Sequence, residues 1–335
     1  MIKLSVLDQS PISEGSNASE ALANTVQLAQ ATEKMGYHRF WVAEHHQSEA
    51  LAGSSPEILM AHLAANTSKI KVGSGGVMLP HYSPYKVAEN FRLLEALHPN
   101  RIDLGVGRAP GGMPLATMAL QEGKQRTVNQ FPEQIDDVLA YIHDDEEEKK
   151  QRFSRLKATP LGPTAPELWM LGSSGESAVL AANKGLPYTF AHFINGQGGS
   201  QFVEHYNQAF KPSKYLKEPK TIVAIFVICA DTDEEAERIA KSLDLSLLLL
   251  EKGSPERKGV PSLEAAEAYP YSEFDLQRIR LNRKRMIVGS QSTVAHQLLQ
   301  LRDQYSTDEL MVVTITHDIK DKIYSYQLLA EAFQL

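Results

Sequence analysis

Two spacings of apolar residues alternate along this chain. Residues Ile2 to Leu7 read as a short strand and run into the polar cluster Asp8-Gln9-Ser10-Pro11. Asn17, with Glu20 three residues on, resembles a helix-capping box. Leu22, Val26, Ala29 and Met35 then recur at helical spacing up to Gly36, a C-cap. Phe40-Trp41-Val42-Ala43 is a continuous apolar run, as a parallel strand covered on both faces requires, and it ends in Glu44-His45-His46. Ser55-Pro56 opens a helix, Ile58 to Ala65, with proline at the favoured first position. Ile70 to Ser74 is a third strand, leading into Gly75-Gly76. Ser83-Pro84 repeats the helix start, with Val87, Phe91, Leu94 and Leu97 as the buried stripe, and Ile102, Leu104 and Val106 mark a fourth strand. A strand-helix-strand rhythm of about thirty residues is the signature of parallel α/β architecture.

The second half keeps the rhythm with longer interruptions. Gln130 to Ile142 reads as a helix, Asp144 to Lys150 as a solvated charge run, and Gln151 to Pro166 as an excursion containing three prolines. Strands five to eight fall at Leu168 to Leu171, Tyr188 to Phe193, Thr221 to Cys229 and Leu310 to Thr316. Glu251 to Arg285 has prolines, charges and little periodicity, the composition of a lid or a disordered segment. With no internal repeat and no clean linker, residues 1–335 are expected to form one domain. About eight strands alternating with helices predict a (β/α)₈ TIM barrel with insertions, including a lid-like segment before the last strand, over an open doubly wound sheet.

Composition narrows the partners. The chain has 335 residues, 42% hydrophobic and 22% charged, with ample apolar content for a core. A net charge of −7 argues against nucleic acid or an anionic membrane as the main partner. The lone Cys229 forms no internal disulfide, suits a reducing cytoplasm, and lies in an apolar run as an inert thiol would. The first residues turn polar too soon for a signal peptide, and no apolar run approaches the ~18 residues of a membrane span. A soluble cytoplasmic location is therefore expected.

The candidate chemistry collects at strand ends. In Arg101-Ile-Asp-Leu-Gly-Val-Gly-Arg-Ala-Pro-Gly-Gly112 a strand breaks at two glycines and delivers Arg108 into a loop. Glycines let backbone approach a ligand, and a guanidinium fork suits phosphate or carboxylate. The stretch is not a dinucleotide fingerprint, because Pro110 stands where the third glycine would be needed. Ser10, His45, Gly75-Gly76, Arg108, Ser173-Ser174, His192 and His317 all lie at or just past the C-terminal end of an expected strand. In a TIM barrel those ends converge on one mouth, where active sites are built.

Four motifs in order, Trp41-Val-Ala-Glu-His-His46, Val72-Gly-Ser-Gly-Gly-Val77, Leu104-Gly-Val-Gly-Arg108 and Leu171-Gly-Ser-Ser-Gly-Glu-Ser177, resemble the bacterial luciferase-like flavin monooxygenases. The resemblance covers nearly the whole chain. It implies a TIM barrel that binds reduced flavin mononucleotide (FMNH₂) and reacts it with dioxygen. It also implies a bulge with a cis peptide at Gly75-Gly76 under the flavin ring, and Arg108 on the phosphate with Ser173, Ser174 and Ser177 at a helix start. His45 would be the acid/base over the ring, Glu251 to Arg285 the mobile lid, and the assembly a homodimer.

Each role has a plainer competitor. A metal pair at His45-His46 is disfavoured, since adjacent histidines point different ways and no further ligand spacing follows; no metal is expected. His46 is expected to be structural, bonded to backbone, while Ser173-Ser174 could equally cap the next helix. His192 and His317 need only line the mouth, and Phe40-Trp41 reads as core. For activity, the expectation is a monooxygenase fed FMNH₂ by a separate flavin reductase, since no nicotinamide motif is present, acting on a small organic substrate. The alternatives are a non-catalytic flavin-binding protein, against which His45 and the lid speak, and a deazaflavin-dependent hydride-transfer enzyme of the same fold. Light emission, which needs a specialised aldehyde pocket, is not expected.

Overall fold

The computed structural model describes residues 2–108, 112, 114–122, 128–145, 153, 155–253 and 258–335. Ten strands run through it: β1 (Lys3–Asp8), β2 (Arg39–Val42), β3 (Lys71–Ser74), β4 (Val77–Met78), β5 (Ile102–Gly107), β6 (Glu167–Gly172), β7 (Tyr188–Ala191), β8 (Thr221–Ala230), β9 (Met286–Ser290) and β10 (Glu309–Val313). Eight of them close a parallel barrel in the order β1-β2-β3-β5-β6-β7-β8-β10, with β10 pairing back onto β1 through Lys3 opposite Glu309. These are the eight strands expected from the sequence, and the architecture is a (β/α)₈ barrel. The two short additions lie off the ring, β4 against the end of β5 and β9 against the far half of the long β8.

Alternation along each strand divides the core in two. One set, including Val6, Phe40, Val42, Leu104, Met170, Val223 and Val312, packs outward under helix residues such as Leu28, Leu63, Phe91 and Ile135. The other set, Leu7, Trp41, Trp169, Ala224, Phe226, Met311 and Val313, fills the barrel itself. Trp41 and Trp169 meet edge to face there, with ring centroids 5.6 Å apart.

Below the tryptophans the barrel is closed by charge. Arg39, fully buried, donates to Asp103 at 2.6 Å and to Glu309 at 2.6 Å, and its guanidinium lies over the Trp169 ring at 4.7 Å. Trp41 Nε1 donates to the same Asp103 oxygen at 2.9 Å. Glu167 completes the layer between Lys220 at 2.5 Å, Lys71 at 3.5 Å and Arg39 at 3.7 Å. Burial pushes the Glu167 pKa up, but these cations outweigh it and bring it down to about 2. Every inward charge in this layer has an opposite neighbour, as a low-dielectric interior demands.

The stretch Glu251 to Arg285 differs from expectation. It carries two helices, Leu263–Ala268 and Glu273–Arg283, the second started by a full capping box between Ser272 and Asp275. Arg283 grips Asp244 of the preceding helix Asp233–Glu251 through two bonds of 2.7 Å, and Arg278 reaches Glu251. Its other end, Val260, exchanges backbone bonds with Ile12 and Glu14 beside the barrel mouth. The segment is therefore an ordered insertion docked through charge over residues 258–285. The Asp144 to Lys150 charge run and the Gln151 to Pro166 excursion fall partly outside the described residues. No helix among the described residues is long and apolar enough to cross a membrane.

Candidate active site

Four neighbouring strands, β2, β3, β5 and β6, bring the expected residues to one arc of the barrel rim. His45 follows the end of β2, half-buried, with its backbone N–H bonded to the Gly53 carbonyl at 2.8 Å. Gly75 and Gly76 follow β3 and are joined by a cis peptide bond, as expected from the resemblance. The bulge is pinned on both sides. Gly75 N–H donates to the Val42 carbonyl at 2.8 Å, and Ser74 Oγ donates to the Gly105 carbonyl at 2.8 Å. Strands β3 and β5 approach so closely that a Cβ on Gly105 would lie 2.0 Å from the Ser74 oxygen. Glycine is the residue this crossing admits.

Arg108 leaves the end of β5 and pairs with Glu176 in the first turn of helix Gly175–Lys184. Its loop neighbours Ala109, Pro110 and Gly111 lie outside the described residues. Ser174 occupies the N-cap of that helix but makes no side-chain cap bond, so the simple capping alternative does not hold for it. Ser173 lends its carbonyl to Asn195 Nδ2 at 3.0 Å, which fixes the loop. Ser177 is buried in the first turn, against Gly172, where an added Cβ would come within 2.4 Å of it. Arg108 thus stands at the open start of a helix, where unpaired N–H groups and the helix dipole favour an anion. Glu176, in that first turn, supplies the carboxylate that Arg108 holds.

His46 departs from its expected backbone bond. Its Nε2 lies 2.7 Å from Oε1 of Glu44, a carboxylate with no solvent exposure. Tyr82 donates to the same oxygen at 2.7 Å, and Met78 N–H donates to Oε2 at 2.9 Å. Burial, and next to it the Glu44 charge, raise the Tyr82 pKa and keep the phenol protonated. Neither Glu44 nor Tyr82 stood out in the sequence; the available signal was an acid placed directly after a fully apolar strand. His192 and His317 stay clear of this chemistry. His192 is buried against the Tyr305 hydroxyl at 2.7 Å, and burial pushes its pKa down; His317 meets the Glu14 carbonyl at 3.2 Å. Ser10 is buried under Thr25. Cys229 is buried, its thiol pushed up to about 12 by burial, as an inert thiol should be. Among the described residues no group of three His, Cys, Asp or Glu side chains could hold a metal ion.

Inside the barrel, Phe193 and Phe226 meet edge to face at 5.2 Å, and Val260, Val313 and Ile315 belong to the same cluster, an apolar wall. The donors and the imidazole of the β2, β3, β5 and β6 arc thus share one barrel with apolar surface, the combination expected of a small-molecule site.

Comparison with known proteins gives this geometry relatives. A family model described as luciferase-like monooxygenase matches residues 2–308. The N-acetyl-S-alkylcysteine monooxygenase of Bacillus subtilis (strain 168) is 42% identical, covering 99% of this chain and 98% of its own length. The crystal structure of apo-MsnO8 superimposes with a TM-score of 0.92 at 38% identity, covering 100% of this chain and 99% of that one. At 20% identity, the oxygenating constituent of the Pseudomonas putida 3,6-diketocamphane monooxygenase, in complex with FMN, shares the fold with a TM-score of 0.71, over 99% of this chain and 97% of its own. An F420-dependent secondary alcohol dehydrogenase shares it at 14% identity and a TM-score of 0.64, over 99% of this chain and 98% of its own.

Proposed function

This chain belongs to the luciferase-like monooxygenase family, and from that premise we propose that it is an FMN-dependent monooxygenase. It takes FMNH₂ from a separate flavin reductase and uses dioxygen to oxidise a small organic substrate. The observation that supports the reading is Arg108 paired with Glu176 in the first turn of helix Gly175–Lys184, the turn in which Ser177 is buried. Arg108, Ser173, Ser174 and Ser177 would hold the phosphate, the Gly75-Gly76 bulge would support the ring, and His45 would move a proton beside it. When bound, the reduced flavin supplies the electrons that activate dioxygen. The chain's own work is to orient it, hold that proton and exclude water through the apolar wall.

The relative named for N-acetyl-S-alkylcysteines makes such thioethers the first substrates to screen. The reading includes a cytoplasmic homodimer in which residues 1–335 act as one domain. Exposed Ile58, Leu93 and Leu97, on the helices Pro56–Ala65 and Pro84–Leu97, offer apolar surface for the second subunit. The test is titration of purified protein with FMN, with a deazaflavin, and then with FMNH₂ under air, followed by absorbance. Saturable FMN binding and reoxidation of FMNH₂ coupled to an added thioether support the proposal. Binding of the deazaflavin alone would move the chain to hydride transfer, and FMN binding without turnover would make it a storage protein.

A further inference from the structure

Glu44 joins two connections of the barrel rim through three partners. It follows β2 directly, is fully buried, and its two oxygens accept from Tyr82 Oη, from Met78 N–H and from the ring of His46. A carboxylate has no hydrogen to give, so the 2.7 Å contact to His46 Nε2 requires that nitrogen to carry one. His46 is then the Nε2–H tautomer, held by its neighbour two residues back. Met78 belongs to β4, the strand that begins directly after the Gly75-Gly76 bulge. Tyr82 ends the turn Leu79–His81 and leads into helix Pro84–Leu97. His46 pairs by its backbone with Gly112, in the loop that leaves Arg108, and a Cβ on Gly112 would lie 2.9 Å from the His46 oxygen.

The geometry points to Glu44 as the positioning residue of the flavin site, an inference that rests on the flavin reading proposed above. One buried charge ties the segment carrying His45 and His46 to the exit of the bulge under the ring. Charge-assisted bonds are the strong ones, and in a water-excluded site they cannot be replaced by solvent. Glu44 therefore sets the contacts under the ring, common to riboflavin and FMN, without touching the ring itself.

Glu44→Gln separates this from a merely structural role. The amide exchanges one acceptor for a donor, so either the His46–Tyr82 side or Met78 N–H loses its partner whichever way it turns. Full-length, flavin-free protein labelled with ¹⁵N-histidine reads the tautomer directly, with His46→Gln assigning the resonance. Wild type and Tyr82→Phe, which keeps the carboxylate, should show His46 protonated at Nε2. Glu44→Gln should convert a measurable fraction to Nδ1–H. It should also weaken riboflavin and FMN equally, by about 10- to 100-fold, the size of a lost bond or two to a charged group. A His46 whose Nε2 carries no proton in wild type would overturn the inference, and so would unchanged riboflavin affinity in folded Glu44→Gln. If Glu44→Gln does not fold, the tautomer in wild type and Tyr82→Phe decides. Wild type that binds neither flavin would refute the flavin reading, while the tautomer would still decide whether Glu44 locks His46.

Discussion

Replacing Arg108 by alanine should cost FMN far more than riboflavin, because the two ligands differ only in the phosphate. The gain from the guanidinium is that of charge-assisted, bidentate hydrogen bonds, about 2–3 kcal/mol. Part of it is offset, since Arg108 must first release Glu176. With side chains 38% and 72% exposed, that pair is an exposed one worth about 0.2–1 kcal/mol. The difference, about 1–2.8 kcal/mol, predicts an FMN complex about 5- to 100-fold weaker. The same arithmetic predicts the opposite sign for the partner. Glu176→Gln removes a competing anion and should tighten FMN by about 1.5- to 5-fold. The double variant should behave as Arg108→Ala alone, because Glu176 has nothing left to compete with. Quenching of flavin fluorescence at two ionic strengths measures all four proteins, and the Arg108 contribution should shrink with salt. Equal losses for FMN and riboflavin in Arg108→Ala would refute the phosphate assignment. A Glu176→Gln protein with weaker FMN binding would refute the competition.

Four further variants test the site and its support. Gly105→Ala places a Cβ 2.0 Å from the Ser74 oxygen and should lower stability by about 1–3 kcal/mol in thermal melts and impair riboflavin binding. Gly107→Ala, whose nearest contact would be Met78 Sδ at 3.5 Å, should melt like wild type. Glu167→Gln should lose on the order of 2 kcal/mol at neutral pH. Because the folded pKa, about 2, lies below the unfolded value near 4.5, that contribution is present above 4.5 and lost as pH falls toward 2. Urea midpoints of the two proteins should therefore converge between those pH values, and a constant gap would remove Glu167 from the titration. His45→Ala should keep FMN affinity but lose about 10²- to 10⁴-fold in turnover, with hydrogen peroxide released in place of oxidised substrate. Wild-type rates of FMNH₂ reoxidation and turnover in that variant would return the histidine to a lining role.

The barrel was legible because its signals are local. A continuous apolar run such as Phe40 to Ala43 and the proline-started helices announce themselves within a few residues. What escaped depends on partners distant in sequence. Helix Glu273–Arg283 carries Phe274, Leu276, Ile279 and Leu281 among many charges, without a clean stripe. It is held by Asp244 and Glu251 from another helix and by Lys252 against Asp275. Strand β9 exists because β8 is long enough to offer its far half after β7 and β10 have taken the near one. Glu44 was invisible for the same reason, since two of its partners, Met78 and Tyr82, lie more than thirty residues away. The positions of His45, Gly75, Gly76, Arg108, Ser173 and Ser174 could be read because strand ends can be located from pattern, while Ser177 lies in the helix that follows.

The glycines of the second motif show how packing and function share the same positions. A Cβ on Gly73 would lie 2.4 Å from the Trp41 indole, and one on Gly75 would lie 2.6 Å from Leu7 Cδ1. On Gly76 it would meet the Gly105 oxygen at 2.8 Å. The first two clashes are imposed by side chains that fill the barrel, and the third by the backbone of β5 alongside. Trp41 is the common element, since its ring presses on Gly73 while its N–H is anchored to Asp103 in the charged layer. The two tryptophans and the ion layer thus set the height of the floor on which the bulge rests. Gly73 is limited by the tryptophan beneath it, Gly75 by Leu7 and then by that tryptophan, and Gly76 by the neighbouring strand, so the motif's glycines record the packing around them before any ligand is considered.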